Sequence, residues 1–166
     1  MTDRIYGLEP FIPCDATILV LGSMPSVASL REQFYYAHKQ NRFFKIISYL
    51  VQRDLNTIDE KKSALSVLKI GLYDVIHSCI REGSLDSKIK DVEPSDLEEL
   101  LKKYPSIKVL ITNGSLSKKL FIKYSSHLLN KPHLKVIHLP STSPANAMMS
   151  LEKLIEVYKG AFSQAL

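Results

Sequence analysis

Three short stretches of the chain are apolar at nearly every position: residues 17–21, 107–112 and 134–139. Runs of this length without polar alternation are what strands buried on both faces require, and that places them in a parallel sheet. A fourth stretch, 71–78, carries Leu72, Tyr73, Val75 and Ile76 and reads as a further strand. Between them the period changes. Residues 42–53 repeat Phe43, Ile46, Ile47 and Leu50 at helical spacing, and Pro94-Ser95-Asp96 opens a helix through Leu97, Leu100 and Leu101 that Pro105 stops. Asn113-Gly114-Ser115 turns a strand into a helix, and 151–165 is an amphipathic closing helix. Strand, crossover helix and strand in repetition predict an α/β fold. The expected architecture is a single three-layer α/β/α sandwich over residues 1–166, with a central, mostly parallel sheet of about four strands. No internal repeat or low-complexity linker suggests a second domain.

In such a sheet the active site lies outside the carboxyl ends of the strands. Two segments are expected to meet there. One follows the first strand, Gly22-Ser23-Met24-Pro25-Ser26, and continues to Phe34–Phe44; the other follows the last strand, from Leu139 to Asn146. Each carries the Gly, Ser and Pro content of a phosphate-contacting loop, which is also the ordinary chemistry of strand-to-helix turns.

Composition narrows the function classes. The 22 Lys and Arg residues exceed the 17 Asp and Glu by five, a surplus that suits a polyanionic partner without requiring one. Cys14 and Cys79 are far apart and form no CxxC, so neither a disulfide framework nor a four-cysteine cluster is expected. The five histidines show no metal-ligand spacing. The first residues lack an apolar signal core and no run approaches a membrane span, so the expected address is the cytoplasm and no membrane partner is expected.

The segments GSMPS (22–26), FYYAHKQNRFF (34–44), GLYDVIHSCIREGSLDS (71–87), ITNG (111–114) and LPSTSPAN (139–146) together resemble the uracil-DNA glycosylase superfamily. Within it they are most similar to the hypoxanthine branch, the DNA-deoxyinosine glycosylases. The stretch 37–43 also resembles the mismatch-specific uracil branch. The chain departs from the usual pattern at Lys39, commonly proline, and Phe44, commonly tryptophan. Branches that hold an iron–sulfur cluster need four thiolates and are excluded.

The resemblance implies a monofunctional hydrolase that removes hypoxanthine from deaminated DNA and leaves an abasic site. It implies water as the only co-reactant, with no metal and no cofactor, and a monomer acting on DNA that contains deaminated bases. The alternatives are a mismatch-directed uracil or broad-range deaminated-base glycosylase and, in another class, a noncatalytic binder of damaged DNA.

Residue by residue, the position that holds an Asp or Asn in several branches is Met24 here, which cannot position water. The water-handling role passes by resemblance to Asn41, through its carbonyl. Its structural alternative is a helix N-cap before Arg42. Asp74 is the rival catalytic group, able to accept a proton, or else a structural acceptor for loop amides. Tyr36 matches the residue that stacks on the extruded base, the alternative being a core ring. Gly22, Ser23, Met24, His38 and Ser78 are the further candidates for base contact. Pro25, Ser26, Ser141, Ser143 and Asn146 are the candidates for DNA contact, against a plain turn and capping role. Ala145 stands where other members insert a wedge and is small unless Met148 or Met149 helps. Lys118, Lys119, Lys123 and Lys131 read as a solvated face.

Overall fold

The computed structural model describes residues 3–166. In chain order its elements are β1 (Arg4–Tyr6), β2 (Ile18–Gly22), α1 (Val27–Glu32), α2 (Phe43–Val51), α3 (Ile58–Leu68), β3 (Ile70–Asp74), β4 (Ile76–Ile80), β5 (Lys90–Pro94), α4 (Leu97–Lys103), β6 (Val109–Asn113), α5 (Ser115–Ser125), β7 (Lys135–Leu139) and α6 (Leu151–Phe162). Four strands form the expected parallel sheet in the order β3-β2-β6-β7. A second, antiparallel sheet of β1, β4 and β5 was not expected.

All five residues of β2 and all five of β6 are buried, which explains their unbroken apolar sequences. Alternation along each strand divides the core. Ile18, Val20, Val109 and Ile111 face one side, with Phe43, Ile46 and Ile47 of α2, Leu65 of α3, and Leu154 and Tyr158 of α6. Leu19, Leu21 and Leu110 face the other, with Leu97 of α4, Leu120 and Phe121 of α5, and Ile76 and Cys79 of β4. The three-layer α/β/α sandwich of the sequence reading is thus present, with the antiparallel sheet joining the second outer layer.

The single strand expected over 71–78 is two. The chain leaves the parallel sheet after Asp74, with Val75 N donating to the Gly22 carbonyl and Ile76 N to that of Ser23. Beyond that break β4 pairs with β1 and β5 instead. Strand β5 is mostly exposed and charged, a composition that suits a sheet edge and leaves no apolar signal. Helix α3 was also unread, although Thr57 and Glu60 close a capping box at its start, each side chain accepting from the other residue's backbone N–H. No helix among the described residues is long and apolar enough to cross a membrane.

Phe121 is fully buried in the second core half. Phe121→Ala should destabilise the fold by about 3–5 kcal/mol, the usual cost of emptying an aromatic site. Urea denaturation followed by far-UV circular dichroism measures it, and a loss below 1 kcal/mol would mean this half of the core is not tightly packed.

Candidate active site

The parallel register sets four chain segments side by side. Gly22 at the end of β2 pairs with Asp74 at the end of β3, and Asn113 at the end of β6 pairs with Leu139 at the end of β7. Beyond these ends opens a cleft of about 650 Å³. Gly22, Ser23, Met24, Pro25, Ser26, Tyr36, His38, Asn41 and Asp74 line it from one side, and Ser141, Ser143 and Asn146 from the other. Of the sequence-predicted site residues only Ser78 falls elsewhere. It lies in β4, where Arg4 Nη1 donates to its Oγ at 2.8 Å and its hydroxyl donates to Glu93 Oε2 at 3.1 Å. The break after Asp74 carries it into the antiparallel sheet, so it cannot reach a base in the cleft.

Glycine at position 22 is required by close approach. A Cβ there would lie 2.5 Å from Asp74 Oδ1 and 3.3 Å from Tyr36 Oη. Asp74 is buried and Tyr36 partly buried, and each holds a buried polar atom without a hydrogen-bond partner, Oδ2 of Asp74 and Oη of Tyr36. Burial pushes the Asp74 carboxyl up to about 7, against the opposing pull of the Arg81 guanidinium. Burial likewise raises the Tyr36 phenol well above its ordinary value, with the nearby Asp74 charge acting in the same direction. Tyr36 has a left-handed backbone (φ 54°), and its ring stacks on Phe43 at 4.5 Å between centroids. One ring face is therefore core, while the residue borders the cleft. Phe34 is buried among Phe11, Tyr35 and Phe44 and is structural.

Asn41 is held by a chain of polar bonds across the molecule. Its Oδ1 accepts from Phe43 N at 2.9 Å and from Thr142 Oγ1 at 2.9 Å. Thr142 Oγ1 in turn accepts from Asn113 Nδ2, and Thr142 N donates to Asn113 Oδ1, both at 3.0 Å. The capping contact and the cleft position therefore coexist. Two donors occupy both lone pairs of the Asn41 carbonyl, so its NH₂ is the end with free hydrogen-bonding capacity. The expectation that the carbonyl would hold a water is corrected to a donating amide.

The loop after β7 is pinned by a residue that sequence reasoning passed over. Arg42 donates from Nη2 to the carbonyls of Ser143 (3.1 Å) and Asn146 (2.8 Å), and from Nη1 to that of Met149. Its own N–H donates to the Thr142 carbonyl. Inside the loop, Ser143 N donates to Ser141 Oγ (3.0 Å), Ala145 N to Ser143 Oγ (3.2 Å) and Asn146 Nδ2 to the Ser141 carbonyl (3.0 Å). The start of α5 faces the same cleft. Gly114 caps it at φ 105°, and a Cβ there would sit 3.0 Å from Ser141 Cβ.

On the near side, Ser26 caps α1 and Arg81 holds the Pro25 carbonyl at 2.6 Å, tying the first loop to Gly83. His38 is exposed at the rim, where its Nδ1 accepts from Gln40 N at 3.1 Å. Thr142, Asn113, Arg81 and Arg42 complete the site; all four lie inside the motifs that carry the resemblance, with no site role read for them from the sequence.

The family model described as Uracil DNA glycosylase superfamily matches residues 9–163. A protein of Methanosarcina barkeri named hypoxanthine DNA glycosylase is 37% identical over 113 residues, 67% of this chain and 72% of its own. A protein of the same name from Methanosarcina acetivorans is 34% identical over 146 residues, 87% of this chain and 89% of its own. The solution NMR structure of a candidate uracil DNA glycosylase from Methanosarcina acetivorans superposes with a TM-score of 0.80 at 30% identity, covering 98% of this chain and 99% of that one.

Two measurements test the geometry. Arg42→Ala should cost about 1.5–3 kcal/mol, the range for hydrogen bonds from a charged donor. It should also speed amide exchange over residues 141–149 while α2 stays protected; unchanged exchange there would show that the loop does not depend on Arg42. The raised carboxyl of Asp74 has a definite sign. Its contribution to stability is fully present below the ordinary carboxylate range and is lost as pH rises through about 7. Asp74→Asn should therefore gain stability relative to the parent as pH goes from 4 to 8. Parallel melting-temperature profiles for the two proteins would contradict the burial argument.

Proposed function

The chain belongs to the uracil DNA glycosylase superfamily, and we propose that it is a monofunctional DNA glycosylase that hydrolyses the bond between hypoxanthine and deoxyribose, leaving an abasic site. The observation that carries the reading is the convergence of Asn41, Asp74, Tyr36 and the Ser141–Asn146 loop on one cleft, in a chain whose relatives bear the name hypoxanthine DNA glycosylase.

A base inside a duplex cannot be reached, so the nucleotide swings out at a cost of a few kcal/mol. Contact with the protein returns part of that cost, and Tyr36, whose ring is held by Phe43, is assigned to meet the base through its cleft-side edge. The hydroxyls and backbone amides of the loops at Pro25–Ser26 and Ser141–Asn146, with the positive end of α5, receive phosphates beside the flipped nucleotide. Asn41 and Asp74 are assigned to the reacting bond. An amide has no proton-accepting power near neutral pH, so Asn41 donates its NH₂ to the oxygen of the attacking water. The water's other lone pair is left for the sugar carbon. That suffices where the transition state has oxocarbenium character and needs little push from the nucleophile. DNA phosphates stabilise the developing cation. No lysine lines the cleft among the described residues, so no Schiff base with the opened sugar is provided and strand cleavage is not part of the reaction. In this reading the enzyme works as a monomer on deaminated DNA in the cytoplasm.

The test uses labelled duplexes containing inosine, uracil or xanthine, followed by alkaline cleavage of abasic sites. Inosine should be processed faster than uracil, because Met24 offers the cleft no water-positioning group; faster uracil release would assign the chain to another branch. Asn41→Ala should lower the single-turnover rate on inosine by about 100-fold or more, the size of loss seen on removing one positioned donor. Its stability should fall by only about 1 kcal/mol, from the lost capping bond. Near-parental excision by a folded Asn41→Ala protein would remove Asn41 from the reaction.

A further inference from the structure

The polar atoms of this molecule are well satisfied almost everywhere, and the exceptions coincide. Asp74 Oδ2 and Tyr36 Oη are the buried side-chain atoms, among those described, that lack a partner, and both groups crowd the same point beside Gly22 at the cleft floor. We propose that this floor reads the O6/N7 edge of a purine with two donors, the Tyr36 hydroxyl and a neutral Asp74 carboxyl, and that Asp74 passes its proton to N7 as the C1′–N9 bond breaks. The inference rests on the glycosylase reading and gives it a base-recognition mechanism.

The surroundings favour the neutral acid. An ionised carboxylate offers acceptors only, and no donor reaches Oδ2. Arg81, the one cation acting on Asp74, makes no ion pair with it among the described residues; its Nε and Nη2 donate to the carbonyls of Gly83 and Pro25. The remaining groups that face the carboxyl are Tyr35 and Tyr36 from the loop after α1 and Tyr73 on β3, with His38 and Asp86 at the cleft rim. The three tyrosines are all held protonated by burial. Desolvation dominates and pushes the Asp74 carboxyl up to about 7. In the neutral form the floor carries two O–H groups, and neither Asp74 Oδ2 nor Tyr36 Oη has a hydrogen-bond partner.

A purine with a 6-oxo group supplies the matching pair, acceptors at O6 and N7 on one edge. Adenine puts an amino group at the first of these places. Its N6–H₂ would have to be accepted by the Tyr36 oxygen, the side of that hydroxyl on which the Asn113 amide already acts as a donor. Sites that read a group by buried hydrogen bonds reject analogues lacking it by about 10⁴–10⁵-fold. That discrimination is what a hypoxanthine glycosylase needs against the adenine it must leave in place. Xanthine and guanine share the edge and pass this reader.

The chemical step balances with water alone. The C1′–N9 electron pair moves onto the imidazole ring as the Asp74 proton moves to N7, and hypoxanthine leaves as its neutral 7H tautomer. Water adds to C1′ and releases one proton, which restores the Asp74 acid through solvent.

Single-turnover rates on duplexes containing deoxyinosine or 7-deaza-2′-deoxyinosine, which has carbon at position 7, test the step across pH. The parent rate on deoxyinosine should fall as pH rises through about 7. Asp74→Asn keeps a donor but has no proton to give, so it should lose about 10²–10⁴-fold and its pH limb. On the 7-deaza substrate the parent should be slow, and Asp74→Asn should cost nothing more. A rate that falls below pH 7 instead would make Asp74 a base and overturn the proposal, as would a full Asp74→Asn loss on both substrates. Titration of free hypoxanthine and free adenine, followed by NMR, gives a readout apart from turnover. Hypoxanthine should bind at least about tenfold tighter than adenine, since one hydrogen bond of ordinary strength is worth that much. Tyr36→Phe, checked for folding by circular dichroism, should erase the preference; equal affinities in the parent would overturn the two-donor floor. Failure to release hypoxanthine from any duplex, with the base preference intact, would sink the glycosylase reading and leave the reader standing.

Discussion

The register of the parallel sheet is the constraint on which the site depends. Gly22, Asp74, Asn113 and Leu139 belong to four strands that sequence separates by up to 117 residues, yet pairing sets them in one row. Register is firmly specified because β2 and β6 are buried on both faces. A slip of one residue would send Leu19 and Leu21 into the half of the core built for Ile18 and Val20. The same slip would turn Asp74 away from Gly22. Packing of aliphatic side chains, a matter of shape and burial, thereby fixes the placement of a carboxyl, an amide and a glycine to within a hydrogen bond's length.

Around that row the polar groups divide into two kinds. Those of the second loop are tied down: Asn113 to Thr142, Thr142 to Asn41, and Arg42 to three carbonyls between Ser143 and Met149. Such a network removes rotamer freedom before any ligand arrives, and that lowers the entropy cost of binding. The floor groups Asp74 and Tyr36 are left without partners at a desolvation cost that the rest of the fold must offset. In the proposed function the satisfied groups position and the unsatisfied pair receives the base.

The parallel strands were legible because burial on both faces writes an unbroken apolar run, and Asp96 and Asn113-Gly114-Ser115 marked their helices openly. The antiparallel sheet was not. Strand β5 is charged and exposed, and its structure comes from pairing with β4 rather than from its own composition. Ser78 was misplaced for a related reason. An apolar stretch cannot reveal that its chain changes sheets at Val75, since the two backbone bonds that turn it run to Gly22 and Ser23, about fifty residues earlier. Helix α3 did carry a readable sign in Thr57 and Glu60. At the site, the glycine, the asparagine and the serine loop were visible as motifs. The direction of the Asn41 amide was not, because it is set by Thr142, 101 residues away.

In the proposed function the loop at Ser141–Asn146 meets the DNA, and it then also bears on how a damaged base is found. Ala145 is too small to fill the gap left by an extruded nucleotide, and Met148 is 97% exposed with no neighbour to brace it. A weak wedge does little to force a sound base pair open. Extrusion then falls most readily on bases that are already poorly paired, since unpairing costs least there. A 6-oxo purine formed by deamination sits in such a pair opposite thymine. On the proposed reading, selection is divided between two steps of different physics: the duplex itself admits the weakly held nucleotide, and the groups at the cleft floor refuse it unless its edge accepts. Neither step has to supply the whole discrimination, which is why a small domain with an amide in place of a general base can still be selective.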